Sequence, residues 1–445
     1  MKIDIPGYAR TALDMLHACG FKAYIVGGCV RDAVLGKAPD DYDICTDCTP
    51  DMMKQVFAGF PAIETGIKHG TLTVLIDRKP IEITTFRSDG KYTDHRKPDS
   101  VRFEKELSQD LKRRDFTVNA LCYNEREGIV DLFGGISDIE NKVIKCVGKP
   151  QERFDEDALR IMRAMRFSSV LDFEIEKNTA QAIHEQKELL RAISAERIAA
   201  ELKKLLCGRD PARILTEYRD VMAVVIPQLE PCFDFAQNNP HHCYDVYTHI
   251  CRSVNNIEPD WVLRLTMLLH DIGKPAVMTV DENGIFHFKT HQQKSADMAQ
   301  EITAALKLDN KSRKRIHSLV LEHDNRIPAR KKSVRRLLSK YDAQFFADYL
   351  KVRRADTLAQ SEYLRNQKLA ELDELERLAR EILDEQLCLH ISDLDINGND
   401  LKALGLDNTE IGKGLKLLLE AVIEERIPNR KAELTDYIKE QQTNE

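Results

Sequence analysis

Tyr24-Ile25-Val26-Gly27-Gly28-Cys29-Val30-Arg31-Asp32, followed at once by Asp40-Asp41-Tyr42-Asp43-Ile44, is the stretch on which the fold turns. The first segment reads as an apolar strand, a glycine pair and the start of a helix that carries Arg31. Glycine lets a backbone come close to a polyphosphate, and a helix start with an arginine supplies positive potential. In the second segment, the period of two along a strand puts Asp41 and Asp43 on one face and Tyr42 and Ile44 on the other. Two carboxylates that converge repel unless a cation lies between them. Mg²⁺ suits such a pair because it takes one or two carboxylates and completes its shell with water and phosphate oxygens. Glu82, in Ile81-Glu82-Ile83, faces away from its apolar neighbours and is a candidate third ligand. An isolated Asp-x-Asp is also an ordinary strand end. The preceding strand, Gly28 and Arg31 are what turn it into a phosphate and metal site.

Outward from this core, short β-rich runs (Thr71 to Ile76, Ile81 to Phe86) alternate with turn and helix signals as far as about Val147, which predicts a small sheet. Beyond Gly148-Lys149-Pro150 apolar residues recur every three or four positions, through Leu159, Met162 and Met165 to Leu205-Leu206, which predicts helices. The chain of 445 residues is long enough for about three domains. Helix-stopping residues at Gly148 to Pro150, Cys207 to Pro211 and Gln237 to Pro240 mark breaks. The expected segments are 1–148, 149–210, 211–340 and 341–445, in an α+β chain whose mixed sheet comes first.

Apolar residues make up 42% and charged residues 31%, which excludes a disordered or collagen-like chain. Apolar runs fall far short of a membrane span, and the first residues lack a leader pattern, so a soluble, unprocessed, cytoplasmic protein is expected. Eleven scattered cysteines fit reduced thiols, and Cys45-Thr46-Asp47-Cys48 has no second pair with which to form a zinc site. The net charge of −7 opposes polyanions unless basic residues gather. They do gather between Asn310 and Lys340, where eleven basic residues face Glu322 and Asp324 for a local +9. Lys331, Lys332, Arg335 and Arg336 in this run are candidate RNA contacts, a solvated helical face being the alternative.

The blocks Gly27 to Asp32, Asp40 to Ile44, Arg113-Arg114-Asp115-Phe116-Thr117-Val118-Asn119-Ala120 and Glu156-Asp157-Ala158-Leu159-Arg160 resemble, in order, the class II tRNA nucleotidyltransferase and bacterial poly(A) polymerase family. The resemblance implies a polymerase-β-like nucleotidyltransferase head (1–148) with Mg²⁺ on catalytic Asp41 and Asp43. It also implies a helical neck (149–210) that reads the base, an HD-type helical body (211–340) and a helical tail (341–445) that hold tRNA. Its implied partners are the tRNA 3′ end, CTP and ATP.

Within that frame, a carboxylate beside a guanidinium offers an acceptor next to donors. Cytosine and adenine present an amino group beside a ring acceptor, whereas uracil and guanine present the reverse. Asp157 with Arg160 would then accept CTP and ATP, Glu156 would orient Arg160, and Arg163 and Arg166 are assigned by resemblance to nucleotide or phosphate contacts. Arg114 and Asp115 match nucleotide-binding positions, with Asp115 facing a ribose hydroxyl. The polar stretch Arg87 to Pro98 resembles the family's flexible loop for adding the terminal A.

In the helical half, Leu268-Leu269-His270-Asp271-Ile272-Gly273-Lys274-Pro275 resembles the signature of HD-domain metal phosphohydrolases. The resemblance implies His249, His270, Asp271 and Asp324 as ligands of a divalent transition metal or Mg²⁺, with His291 lying between them in sequence. The sequence therefore predicts a CCA-adding activity. An A-adding enzyme or poly(A) polymerase, or a chain whose main activity is HD phosphohydrolysis, stands as the alternative. The intact Asp41/Asp43 pair speaks against a non-enzymatic RNA-binding relic.

Overall fold

Strict alternation along Thr71–Ile76 buries Leu72, Val74 and Ile76 and leaves the residues between them half-exposed, the pattern of a strand with one covered face. The computed structural model describes residues 2–90 and 100–443; residues 91–98 of the predicted loop lie outside the described residues. A seven-stranded sheet is built from β1 (Ala23–Val26), β2 (Asp43–Thr46), β3 (Ala62–Ile63), β4 (Thr71–Ile76), β5 (Lys79–Thr85), β6 (Leu121–Asn124) and β7 (Gly128–Asp131). Their spatial order is β3-β4-β5-β2-β1-β6-β7. The α+β architecture expected from the sequence is the one observed. Strands β2 and β5 run parallel, and the other neighbours are antiparallel.

The register of that parallel pair sets Asp43 beside Glu82, with Val26 of β1 on the other side of Asp43. Tyr24, Val26, Cys45, Phe86, Leu111 and Cys122 form the apolar cluster on one face of the central strands. Cys45 and Cys48 are buried free thiols, and burial holds both above the ordinary thiol range.

After the sheet the chain is mainly helical. The helix Leu159–Leu171 packs on Ala195–Leu206, and burial of Leu202, Leu205 and Leu206 gives the second of these its apolar side. The chain separates into two units, Met1–Glu230 with Ala305–Lys307, and Pro231–Ala304 with Leu308–Glu445. The division falls at Glu230, within the segment 211–340 that the sequence grouped as one domain. The second unit is mainly helical, with one short antiparallel pair, Thr279–Val280 and Phe286–His287, and its tail has its own apolar cluster around Leu401, Leu418 and Leu434. Among the described residues no helix is long and apolar enough to cross a membrane.

Gly27 links β1 to the helix Gly28–Val34 with φ 85° and ψ −129°, a conformation that an L side chain rarely adopts. A Cβ there would also come within 3.3 Å of Nη1 of Arg114. Gly27→Ala is expected to destabilise the first unit by about 1–2 kcal/mol. Chemical denaturation checks this, and unchanged stability would show that the turn relaxes freely.

Candidate active site and a second polar cluster

Asp43 begins β2 and Glu82 lies beside it on β5, while Asp41 precedes the strand by two residues. Side chains of this acidic edge remain open to solvent. Partial desolvation, then the like charge of Glu82 and of Asp41, pushes the Asp43 carboxyl up to about 6, with Arg114 pulling the other way. Crowded carboxylates of like charge are a donor set that a hard divalent cation would stabilise, so these residues fit the metal that the family implies.

Behind this edge lies a buried network of charges. Arg31 donates to Oδ1 of Asn119 (2.7 Å) and makes paired bonds to Asp32. Asn119 donates to Asp115 (3.1 Å), which also accepts from the Phe116 N–H (2.8 Å) and from Nε of Arg163 (2.9 Å). Burial alone would raise the pKa of Asp115; the Arg163 guanidinium and these hydrogen bonds hold it well below the carboxylate range. Arg163 also approaches Glu201, which pairs with Arg166 at 3.0 Å, and burial lowers Arg166 to about 10. Arg31, Arg163 and Arg166 all lie over the Phe167 ring, Arg166 at 3.9 Å. Arg114 pairs with buried Asp110. Gly28 opens the short helix next to Arg31.

The predicted base-reading edge has its own partners. Arg160 donates to Glu156 (2.6 Å) and to the carbonyls of Arg153 (3.0 Å) and Arg113 (2.9 Å). Asp157 accepts from Arg197 at 2.9 Å and from the Leu159 N–H. Glu156 is thus placed on Arg160 as expected, whereas the sequence reading missed Arg197, Glu201, Asn119 and Asp110. Arg197 and Glu201 lie about 40 residues downstream of Asp157 and Arg163 on another helix, and Asn119 stood inside a quoted motif without a role.

In the second unit, His249, His270 and Asp271 come together, and so do Asp271, His291 and His323. Asp356 lies 3.0 Å from His249 and 3.7 Å from His270. Asp324 is a correction to the sequence reading. His323 caps the helix Asn310–Glu322 and turns inward, so the next residue is carried round to the partly exposed side, where it pairs with Arg326. The second carboxylate that reaches the cluster is that of Asp356, on the helix Ala343–Ala359. Burial would lower the pKa of His270, but Asp271 and Asp356 push it up to about 10, so metal binding here competes with a proton. A cavity of ≈ 410 Å³ opens over the cluster, with Lys274, Lys289 and Arg326 among its walls.

The four basic residues expected to meet RNA have partners within the chain. Lys331 pairs with Glu381 (2.6 Å) and Glu385, and Lys332 and Arg336 both pair with Glu424. Arg335 is buried and donates to the carbonyls of Val422 (3.1 Å) and Cys388 (3.0 Å). The counter-charges of Lys331, Lys332 and Arg336 lie 50 to 92 residues later in sequence, out of reach of a sum over neighbours. These four residues bind segments of the tail.

A mixed sheet with a carboxylate edge, backed by an arginine-rich helix, defines a nucleotidyltransferase head of the polymerase-β-like class. The family model "Poly A polymerase head domain" matches residues 23–145. Models for the RNA- and SrmB-binding site of polymerase A and for tRNA nucleotidyltransferase domain 2 match 172–233 and 280–438. These segments of the chain are thus similar to the poly(A) polymerase and tRNA nucleotidyltransferase families. It is 49% identical over 210 residues to the CCA-adding enzyme of Lactobacillus delbrueckii subsp. bulgaricus, covering 47% of this chain and 52% of that one. With the CCA-adding enzyme of Ligilactobacillus salivarius the figures are 47% over 220 residues, 49% and 54%. The chain thus spans about half the length of the curated relatives it matches. The Bacillus stearothermophilus CCA-adding enzyme in complex with CTP superposes with a TM-score of 0.72 at 28% identity, covering 98% of this chain and 97% of that one.

Arg163→Met would leave Asp115 buried with its main counter-charge gone, at a cost of about 1–3 kcal/mol after allowing for the partial exposure of Arg163. Because the folded pKa of Asp115 is depressed, this stabilisation is complete above the unfolded value of about 3.9 and is lost as pH falls through the folded one. Denaturation of Arg163→Met is therefore expected to show the deficit at pH 7, with the gap from wild type closing in acid. Asp115→Asn in the same chain should recover part of it.

Proposed function

We propose that the protein is a CTP/ATP:tRNA nucleotidyltransferase that builds or repairs the 3′-terminal CCA of tRNA without a nucleic-acid template, in the cytoplasm. The observation that carries this reading is the Asp43–Glu82 register, with Asp41 alongside, backed by the neck that presents Glu156, Asp157, Arg160 and Arg163. The likeness to a CTP-bound CCA-adding enzyme supports it over nearly the whole chain. Mg²⁺ bound by Asp41, Asp43 and Glu82 would supply Lewis-acid activation of the tRNA 3′-hydroxyl and offset charge on the triphosphate. Asp43, once ionised, can take the hydroxyl proton as the 3′-oxygen bonds to the α-phosphorus and the bond to the leaving pyrophosphate breaks. Arg31 and Arg166 add positive potential on the phosphate side, held in place by Asn119 and Glu201. Asp157 and Arg160 read the amino group and ring acceptor of cytosine or adenine. For Asp157 this means exchanging the Arg197 contact for the base.

Purified protein is to be incubated with tRNAs ending at the discriminator base, at C and at CC, with each labelled nucleotide, and the products sequenced. Addition of C, C and A in turn is expected; incorporation of A alone, or of a long A tract, would favour the A-adding or poly(A) alternative. Asp43→Ala should slow addition of both nucleotides at least about 100-fold while tRNA binding holds. Asp157→Ala should cut discrimination against UTP and GTP by about 1–3 kcal/mol. Equal loss for all four nucleotides would make the neck a purely structural element.

A second reading is favoured by the buried histidine and aspartate cluster under a cation-walled cavity: a phosphohydrolase activity separate from nucleotide addition. His270→Ala with Asp271→Ala is expected to remove hydrolysis of 2′,3′-cyclic phosphates and spare CCA addition. Parallel rate measurements with Mg²⁺, Mn²⁺, Ni²⁺ and Co²⁺ check this.

A further inference from the structure

We propose that Tyr8, Tyr42, Arg78 and Lys79 form a rim beside Asp41, Asp43 and Glu82 that binds the last nucleotides of the growing RNA strand, a base stacking on tyrosine and the backbone phosphates meeting the two cations. These are positioning residues for the attacking 3′-hydroxyl. The inference rests on the nucleotidyltransferase reading and adds the acceptor side of that site.

Strand order decides which flank the acceptor uses. Across the sheet the order β5-β2-β1 puts the start of β2, with Asp41 and Asp43, between the start of β5 and the end of β1. The end of β1 leads through Gly27 into the helix Gly28–Val34 with Arg31, the side given to the triphosphate. An in-line displacement holds the attacking oxygen and the leaving pyrophosphate on opposite sides of the α-phosphorus. With pyrophosphate toward Arg31, the 3′-hydroxyl arrives from the flank of β5.

That flank has the chemistry of a single-strand binder. Ile76 pairs with Lys79, so β4 and β5 are joined by Asp77-Arg78 alone, and this turn stands at the same end of the sheet as Asp43. Both turn residues have positive φ, 51° and 63°. A turn of this kind favours glycine at its second central position, where this chain instead holds an exposed arginine at a cost in backbone strain. Lys79 follows it, also exposed, with Nζ 5.3 Å from the centroid of the Tyr8 ring. Among the described residues neither cation is held in an ion pair.

Tyr8, in the first turn of the helix Gly7–Ala18, meets Tyr42 edge to face with ring centroids 6.3 Å apart, and both rings are half-buried. Burial, then the charge of Asp41, raises the Tyr8 phenol above its ordinary pKa, which sets that ring within electrostatic reach of the carboxylates. Aromatic surface beside free cations suits unpaired nucleotides, because stacking accepts any base while the cations follow the backbone. An acceptor that ends in the discriminator base, then in C, then in a second C needs a contact of this base-tolerant kind. The incoming nucleotide does not, since its base is read by the neck.

The test measures steady-state addition of A by the full-length protein to tRNA ending in CC and to a tetranucleotide ending in CC, which has few contacts beyond its 3′ end. Tyr8→Ala is expected to raise KM for the tetranucleotide at least about 5-fold, the loss of one stacking contact. Tyr8→Phe keeps the ring and should stay within about twofold of wild type. Arg78→Gly and Lys79→Ala should raise the acceptor KM and flatten its dependence on salt. KM for ATP is expected to hold in every variant, and thermal unfolding checks that each folds, with Arg78→Gly melting no lower than wild type because glycine suits the turn. If none of the variants moved KM for either acceptor, or if KM for ATP rose in step, the rim would be overturned and the nucleotidyltransferase reading would stand. A wild-type protein that adds neither C nor A to tRNA would remove both.

Discussion

The contact between Asp115 and Arg163 is the constraint on which the first unit depends. A carboxylate buried this deeply is stable only where donors surround it, and the donors come from separate parts of the chain: Asn119 and the Phe116 N–H from its own turn, Arg163 from the helix Leu159–Leu171. Asn119 reaches on to Arg31, and Arg163 to Glu201, so one ionised group ties the glycine turn of the sheet to the two helices that follow it. Truncating any of them leaves a buried charge short of a partner, which makes the arrangement rigid. Under the proposed function that rigidity would serve base selection, which depends on donors and acceptors held at fixed positions.

A second constraint is topological. Only a parallel pairing of β2 with β5 sets Asp43 beside Glu82, and the hairpin β4–β5 carries Glu82 into that register. Sliding β5 by one residue would turn Glu82 to the opposite face and bring Ile81 or Ile83 to the acidic edge. The apolar neighbours of Glu82 therefore do more than fill the core: burial of Ile81 and Ile83 fixes where the third carboxylate points.

Legibility followed the range of the contacts. Asp41, Asp43, Glu82 and the pair Glu156 and Arg160 were readable because strand alternation and helical spacing are local rules, and the order of the motifs carried the family. Partners that arrive from another helix were not. Arg197 on Asp157 and Glu201 on Arg166 have no periodic link to the residues they hold. Asp356 sits in the helix Ala343–Ala359, in Ala355-Asp356-Thr357, with no histidine beside it to mark it. Asp324 looked right only because it follows His323, as Asp271 follows His270, and at the end of a helix the next residue points elsewhere.

The basic run shows the same limit from the side of charge. A sum over neighbours in sequence treats Lys331, Lys332, Arg335 and Arg336 as a free positive surface, but charges neutralise in space. Glu381, Glu385 and Glu424 meet three of them, and the fourth is buried against backbone carbonyls. Arg335 in particular closes the ends of two later segments, since Cys388 follows one long helix and Val422 lies in the last turn of another. An arginine can serve there because its planar fork reaches two carbonyls at once and stays charged while its stem packs among apolar side chains. The residues that look most available for a polyanion in the sequence are thus paired with the second unit's own tail, while Arg31 and Arg166 gather over Phe167 and Lys274, Lys289 and Arg326 line the histidine cavity.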